Sequence, residues 1–513
     1  MNQMTDITRK KRYTRETLLL TGMGLFVFVG ALTAVNVILL PIAREYHRYS
    51  AGIMFASLMS SGSVFFLLGR KLRATREDLL KRAAKTWVPA YLAALFLIQL
   101  LMGYALEYTP SGDNFMLYNA AQMLASDGNF DAYPDFYLYL SRFSNQWGFM
   151  LMLSALYKLL FSMGITELFF PTVLLQAALY TAGVAALFLI VRRLRGARGM
   201  LSLLSALIFF FPLYFAAAVL YTDTFSMPFV AIALLFALRA LDAKTMKHQL
   251  LNALACVAFS AVGGQIKMTV AIALIAACIV FVLRMKRIRS LVCCAAMILV
   301  MGLSVSGVRC IMVGPLLSAE MVAQHHTPTI HWIMMSIPNG NNPYGDSIED
   351  YRQTWTMMEN GAPREEVMAS IYTRLIDKIY YLRYPSRLVP ALLRKNAVAF
   401  GDGTLGLSEI LDDNPVRHTP ISDLVLEGGK HYNIYRGVCS GVFFAHMIFA
   451  LLACLLDMKR RDFRAAPLYI AALGLILFML IWEVRSRYIF NFAPLFVLLG
   501  VLFTAREKGG ESA

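Results

Sequence analysis

The chain has 513 residues, of which 58% are hydrophobic and 16% charged, and its mean hydropathy is +0.58. A soluble chain of this length would need far more polar surface, so an ordinary cytosolic enzyme is excluded and a polytopic membrane protein is indicated. The 48 Lys and Arg against 32 Asp and Glu give a net charge of +16, but the excess sits in short clusters beside apolar runs, a topology signal that gives no reason to invoke nucleic acid as a partner.

A polar, basic N-terminus (Arg9, Lys10, Lys11, Arg12, Arg15) precedes an apolar run from 18 to 42, which is too long for a signal-peptide core and is predicted to be an uncleaved first span. Further spans are predicted at 51–69, 87–106, 168–191, 199–219, 225–240, 249–265, 268–284, 290–314, 438–457, 466–482 and 489–504, about twelve in all. The run 147–163 is nearly as apolar but carries Tyr157 and Lys158 at its middle. Kept out of the bilayer as an interfacial helix, it leaves the N-terminus and the clusters 70–86, 192–198, 241–248, 284–289, 458–464 and 505–513 on one side, with 28 Lys and Arg against 5 in short loops on the other. Both termini are then cytoplasmic, and two large segments, 107–167 and 315–437, are extracytoplasmic. The predicted organisation is a cytoplasmic N-terminus with two added helices (1–86), a membrane module (87–314) containing the first loop, an external subdomain (315–437) and C-terminal helices with a cytoplasmic tail (438–513). The seven cysteines all lie in or beside apolar runs with no paired spacing, which argues against a disulfide or metal framework.

Charged residues near the ends of spans are costly unless used or paired, so they are the functional candidates. Asp113 follows the end of a span in EYTPSGDNF and precedes a helical pattern, which suits either a helix cap, shared with Ser111, or a general base. Asp223 occupies the short outer turn YTDT between two spans, again as a cap or as a partner carboxylate. The two acids could alternatively ligate a divalent ion. Lys267 in GGQIKMT and Glu483, Arg485, Arg487 and Tyr488 in WEVRSRY break the charge bias of the short outer turns, and the arginine pair calls for an anionic partner. Arg309, at the outer end of its span, could extend that patch. In the second loop HHTPTIH gathers His325, His326 and His331, a weak metal pattern because proline interrupts it. A helix is predicted to start near Ser347, and Arg383, Arg387, Arg394 and Lys395 suit lipid headgroups, a substrate or solvent.

Taken together, an acidic residue opening the first outer loop, an interfacial helix, a span ending in RRLRG, an outer YTDT, an outer lysine and RSRY before the last span resemble the GT-C superfamily of integral-membrane glycosyltransferases. Within it the pattern is similar to bacterial relatives of the protein O-mannosyltransferase and aminoarabinose transferase group, over most of 87–504. Many members carry an acidic pair or a HPPL-like motif in the first loop, where this chain has GDN and SNQWGF. The resemblance implies an all-α GT-C-like fold in a bacterial cell membrane and transfer of a sugar, with inversion, from a polyprenyl-phosphate donor to a glycan, lipid or protein acceptor on the outer face. It implies Asp113 as the base. Chemistry alone then makes Lys267, Arg485 and Arg487 the clamp for the leaving phosphate, with Asp223 orienting the base, binding sugar or holding a metal. A lipid-linked glycan polymerase or ligase and a secondary transporter are the competing functions. Carriers place polar groups at mid-membrane, whereas here they collect at span ends.

Overall fold

The computed structural model describes residues 2–340, 342–345, 347–412 and 414–506, with side chains from residue 13 onward. Arg9, Lys10, Lys11, Arg12 and Lys508, counted above for topology, lie outside the described side chains. The described chain is helical, with two isolated bridges and no β-strand. Among the described residues, eight helices are long and apolar enough to cross a membrane, and Met268–Arg284, Ala466–Ile481 and Ala493–Thr504 are shorter apolar helices. The predicted spans 168–191 and 199–219 both begin in Phe169–Ile208, which breaks at Gly196 (φ +63°) because only glycine adopts that backbone without strain. Apolar residues that face outward, such as Leu32, Leu101, Ile298 and Leu303, make the surface a lipid would cover, and large side chains from Phe210, Phe443, Phe490 and Phe496 fill the interior.

The first two spans are packed into the bundle. Ala51–Ala74 lies against Tyr432–Arg460, where Gly441 allows the backbones to approach: a Cβ there would stand 2.6 Å from Leu58 N. Ser57 Oγ donates to Val438 O at 2.9 Å. At one end of the bundle the basic clusters gather around buried Asp457, which accepts from Arg195 at 3.1 Å, Arg506 at 2.6 Å and the Tyr469 hydroxyl at 2.8 Å. Both large loop segments stand at the other end. Trp147–Ser162 packs on Gly112–Ser126 and Met246–Ile266 and is not among the span-like helices. Its polar pair divides accordingly, Tyr157 buried against Thr172 and Lys158 exposed.

Segment 315–437 is folded onto that end. Ser347 caps Ile348–Glu359 by accepting from Asp350 N, as the turn signals predict. Inside the subdomain Asp350 pairs with Lys378 at 2.5 Å and Arg374 at 3.4 Å, while buried His331 bonds to Thr354 Oγ1 at 3.1 Å. Burial, with Arg374 and Lys378 adding to it against Asp350, lowers the His331 pKa to about 4 from an ordinary value near 6.5. The unfolded chain therefore binds a proton between these values that the folded one refuses, so stability falls as pH drops from about 6.5 to about 4. Thermal unfolding across this range should show a loss of which a share on the order of 3 kcal/mol disappears in His331→Gln. A pH profile identical in the variant and the parent would show that His331 is not responsible.

Candidate functional site

A cavity of about 420 Å³ lies at the loop end of the bundle, between the span ends, the first loop and the external subdomain. Asp113 reaches it from the first turn of Gly112–Ser126. The N-cap position is Ser111, which makes no side-chain cap bond, so Asp113 is not the cap. Its carboxylate instead accepts from two phenols, Tyr139 at 3.1 Å on Oδ1 and Tyr221 at 3.3 Å on Oδ2. Burial, then the Asp113 charge, pushes the Tyr139 pKa well up. Tyr221 is raised too, chiefly by burial, so both phenols stay protonated donors that orient the carboxylate.

Asp223 has a different environment. It is 1% exposed, with Lys267 Nζ 2.9 Å from Oδ1 and Arg487 Nε 3.7 Å from Oδ2, ion pairs that lack hydrogen-bond alignment. The N-cap of its helix is Tyr221, so Asp223 is not a cap either. Lys267 and Arg487, the two cations paired with it, both line the cavity. The Lys267 ammonium lies 4.2 Å from the Tyr488 ring centre, and the Arg487 guanidinium lies 4.8 Å from that of Tyr221, to whose hydroxyl it donates at 3.3 Å. Tyr221 thus connects Asp113 to Arg487. Arg485 and Arg487 share Glu409 at 3.6 and 3.8 Å, too long for hydrogen bonds.

The arginines sit on the short turn Ser486–Ile489 and the residue before it, backed by a buried loop, FGDGTLGLS. Leu405 (φ +58°) and Gly406 (φ +64°) reverse the chain there, and a Cβ on Gly406 would stand 3.0 Å from Arg487 N. Asp402 accepts from Thr404 N at 2.9 Å and from Arg436 at 3.0 Å, and Arg436 donates to His47 Nδ1 at 3.1 Å. His47 Nε2 faces the Ala397 and Val398 carbonyls, so the first two spans help to brace the turn that carries Arg487.

Of the other sequence candidates, Glu483, Tyr488 and His326 line the cavity. His326 bonds to Ser144 Oγ at 2.8 Å. Arg309 is exposed and His325 is buried, and neither lines the cavity. A metal does not fit the donor set: Lys267 and Arg487 occupy both faces of Asp223, and among the described residues no three His, Cys, Asp or Glu side chains converge. Sequence reasoning passed over Tyr139, Arg142, Glu409 and Trp332. Tyr221 stood in the YTDT string as a signal, but its value depends on contacts between residues 108 and 266 positions apart.

These features define a polytopic helical membrane protein with an acid and a row of cations in one cavity. The chain belongs to the family described as "Conserved hypothetical integral membrane protein", whose model matches residues 13–508. No curated protein matches it. Among solved structures it is similar to ArnT from Cupriavidus metallidurans bound to undecaprenyl phosphate, at 15% identity over 81% of this chain and 77% of that one, with a TM-score of 0.35. The apo state of the same protein matches at 14% identity over 82% and 78%, also at 0.35.

Proposed function

We propose that the protein is a GT-C-like glycosyltransferase that moves a sugar from a polyprenyl-phosphate donor to an acceptor hydroxyl. One observation carries this reading: Asp113 and the cations Lys267, Arg485 and Arg487 open into one cavity, joined through Tyr221. The acceptor oxygen attacks the anomeric carbon from the face opposite the phosphate and gives its proton to Asp113. The bond from that carbon to the phosphate oxygen breaks, its electron pair leaves on the phosphate, and configuration inverts. The phosphate needs no proton to leave, so no second acid is required, in contrast to glycoside hydrolysis. Its developing charge is met by the cations, with Glu409, half exposed and loosely paired, giving way to it. The test is purified protein with radiolabelled polyprenyl-phosphate sugars, followed by extraction. Label that never leaves the lipid in the presence of membrane glycans, lipids and proteins would overturn the reading.

We also place the cavity on the outer face of a bacterial cytoplasmic membrane, with both termini inside. The convergence of Arg195, Arg506 and Asp457 at the end opposite the cavity supports this, since arginine clusters stay cytoplasmic. Arg192→Cys, an exposed position, should be labelled by a membrane-impermeant maleimide only in inside-out vesicles of a Cys310→Ser background. Labelling in intact cells would reverse the topology.

A further inference from the structure

The external subdomain keeps an apolar face that no described residue covers. Helix Arg364–Tyr381 buries one side, with Val367, Ile371 and Lys378, in the subdomain. The other side repeats apolar residues at helical spacing, and Tyr372, Ile376, Ile379 and Tyr380 are 48 to 64% exposed. The chain then turns at Leu382, Arg383 and Tyr384 into Pro385–Phe400, where Arg387, Leu388 and Val389 are exposed as well. A single exposed isoleucine needs no explanation. A stripe more than two turns long, carried on into the next helix, marks a surface that something covers.

Position and charge identify the cover. Pro385–Phe400 is fastened to the end of the first span, where Asn36 Nδ2 donates to Leu393 O at 2.7 Å and Asn396 Nδ2 donates to Thr33 Oγ1 at 2.9 Å. On that span end Val35 and Leu39 face outward, half exposed or more, so the apolar face continues the surface that lipid covers. Arg383 lies 3.4 Å from the Tyr380 ring centre and Arg387 4.5 Å from that of Tyr381. Among the described residues neither arginine pairs with a carboxylate, and from 378 to 400 the sequence has no Asp or Glu. Tyrosines and arginines beside an apolar stripe suit a membrane interface, with rings at headgroup depth and guanidinium groups on phosphate. A second copy of the chain is a poorer cover, because a two-fold contact would set the arginines of this acid-free stretch against one another. Lys395, grouped with them in sequence, is buried on the carbonyls of Ser336 and Trp482 and takes no part. We propose that Arg364–Tyr381 and the start of Pro385–Phe400 lie on the leaflet at the cavity end of the bundle, with Arg383 and Arg387 holding anionic phospholipid headgroups. The inference stands apart from the transferase reading. Its consequence falls on the cavity all the same: Lys378, on the buried side of the docked helix, donates to Met334 O at 3.1 Å, and the next residue, Met335, lines the cavity. Lipid contact thus holds the subdomain over the cavity.

The test uses the full chain with Cys310→Ser and Ile376→Cys, labelled at position 376 with bimane maleimide and placed in phosphatidylcholine nanodiscs. A minor share of the lipid carries bromine on the acyl chain near the headgroup, either as phosphatidylglycerol or as phosphatidylcholine. Both should quench the label, and brominated phosphatidylglycerol should do so about twofold or more strongly, since arginines near a membrane surface attract anionic lipid. In Arg383→Gln/Arg387→Gln that preference should vanish while the melting temperature stays parental, because neither arginine holds a carboxylate. Absence of quenching by either lipid overturns the docking. A label that lipid does not quench but that is shielded from aqueous iodide would give the face to a protein, a second copy included, and overturns it too. Equal quenching by the two lipids, or a preference that survives the double substitution, overturns the headgroup contact.

Discussion

Asp113→Asn is expected to give a folded protein that binds donor normally and transfers sugar about a hundredfold or more slowly, since a general base typically contributes 10²–10⁴. The substitution is structurally mild. Residue 113 is exposed to the cavity, and an amide oxygen can still accept from one of Tyr139 and Tyr221. It removes the group that takes the proton while leaving Lys267, Arg485 and Arg487 in place. A stable Asp113→Asn protein that binds farnesyl phosphate and turns over at the parental rate would take Asp113 out of the mechanism. Asp223 could not replace it, since it is buried with a cation on each oxygen, so that outcome would pass the role of base to Glu483 or His326, which also line the cavity.

The membrane architecture was legible because apolar length and flanking charge are local properties. For 147–163 the sequence offered Tyr157 and Lys158 at mid-run and the charge balance of the basic clusters, and in the structure that helix is not among those long and apolar enough to cross. The cations of the site were legible for a related reason, as Lys267, Arg485 and Arg487 violate a bias that their neighbours obey. Roles were harder. Asp113 and Asp223 look alike in sequence, each in the first turn after a loop, and both were open to being caps, bases or metal ligands. The fold separates them by what comes from elsewhere: two phenols for Asp113, two cations for Asp223. Residues with no chemical oddity of their own, such as Glu409 and Gln146, matter only through the cavity they line or the arginines they face, and no local pattern marks them. The first two spans, set apart in sequence as an addition, reach the site through His47, Arg436 and Asp402, a chain of contacts that spans 389 positions.

Arg487→Ala is expected to weaken farnesyl phosphate binding and donor use by about tenfold or more and to lower the melting temperature as well, whereas Arg485→Ala should weaken the donor alone. Loss of one charge-assisted contact to a phosphate is worth on the order of 1.5–3 kcal/mol in either case. The difference lies in what each arginine leaves behind. Arg485 pairs with Glu409, which is half exposed and is solvated when released. Arg487 faces Asp223, and its removal leaves that buried carboxylate with Lys267 as its remaining ion-pair partner, a loss that typically costs several kcal/mol. It also takes the guanidinium from the Tyr221 ring and hydroxyl, freeing the phenol that orients Asp113. Arg487→Lys restores a charge near Asp223 but not the planar fork, so it should recover stability more than donor affinity. Equal recovery of both would show that a point charge is enough. Unchanged donor affinity in both alanine variants would assign the two arginines to holding the turn and Asp223 rather than to binding phosphate.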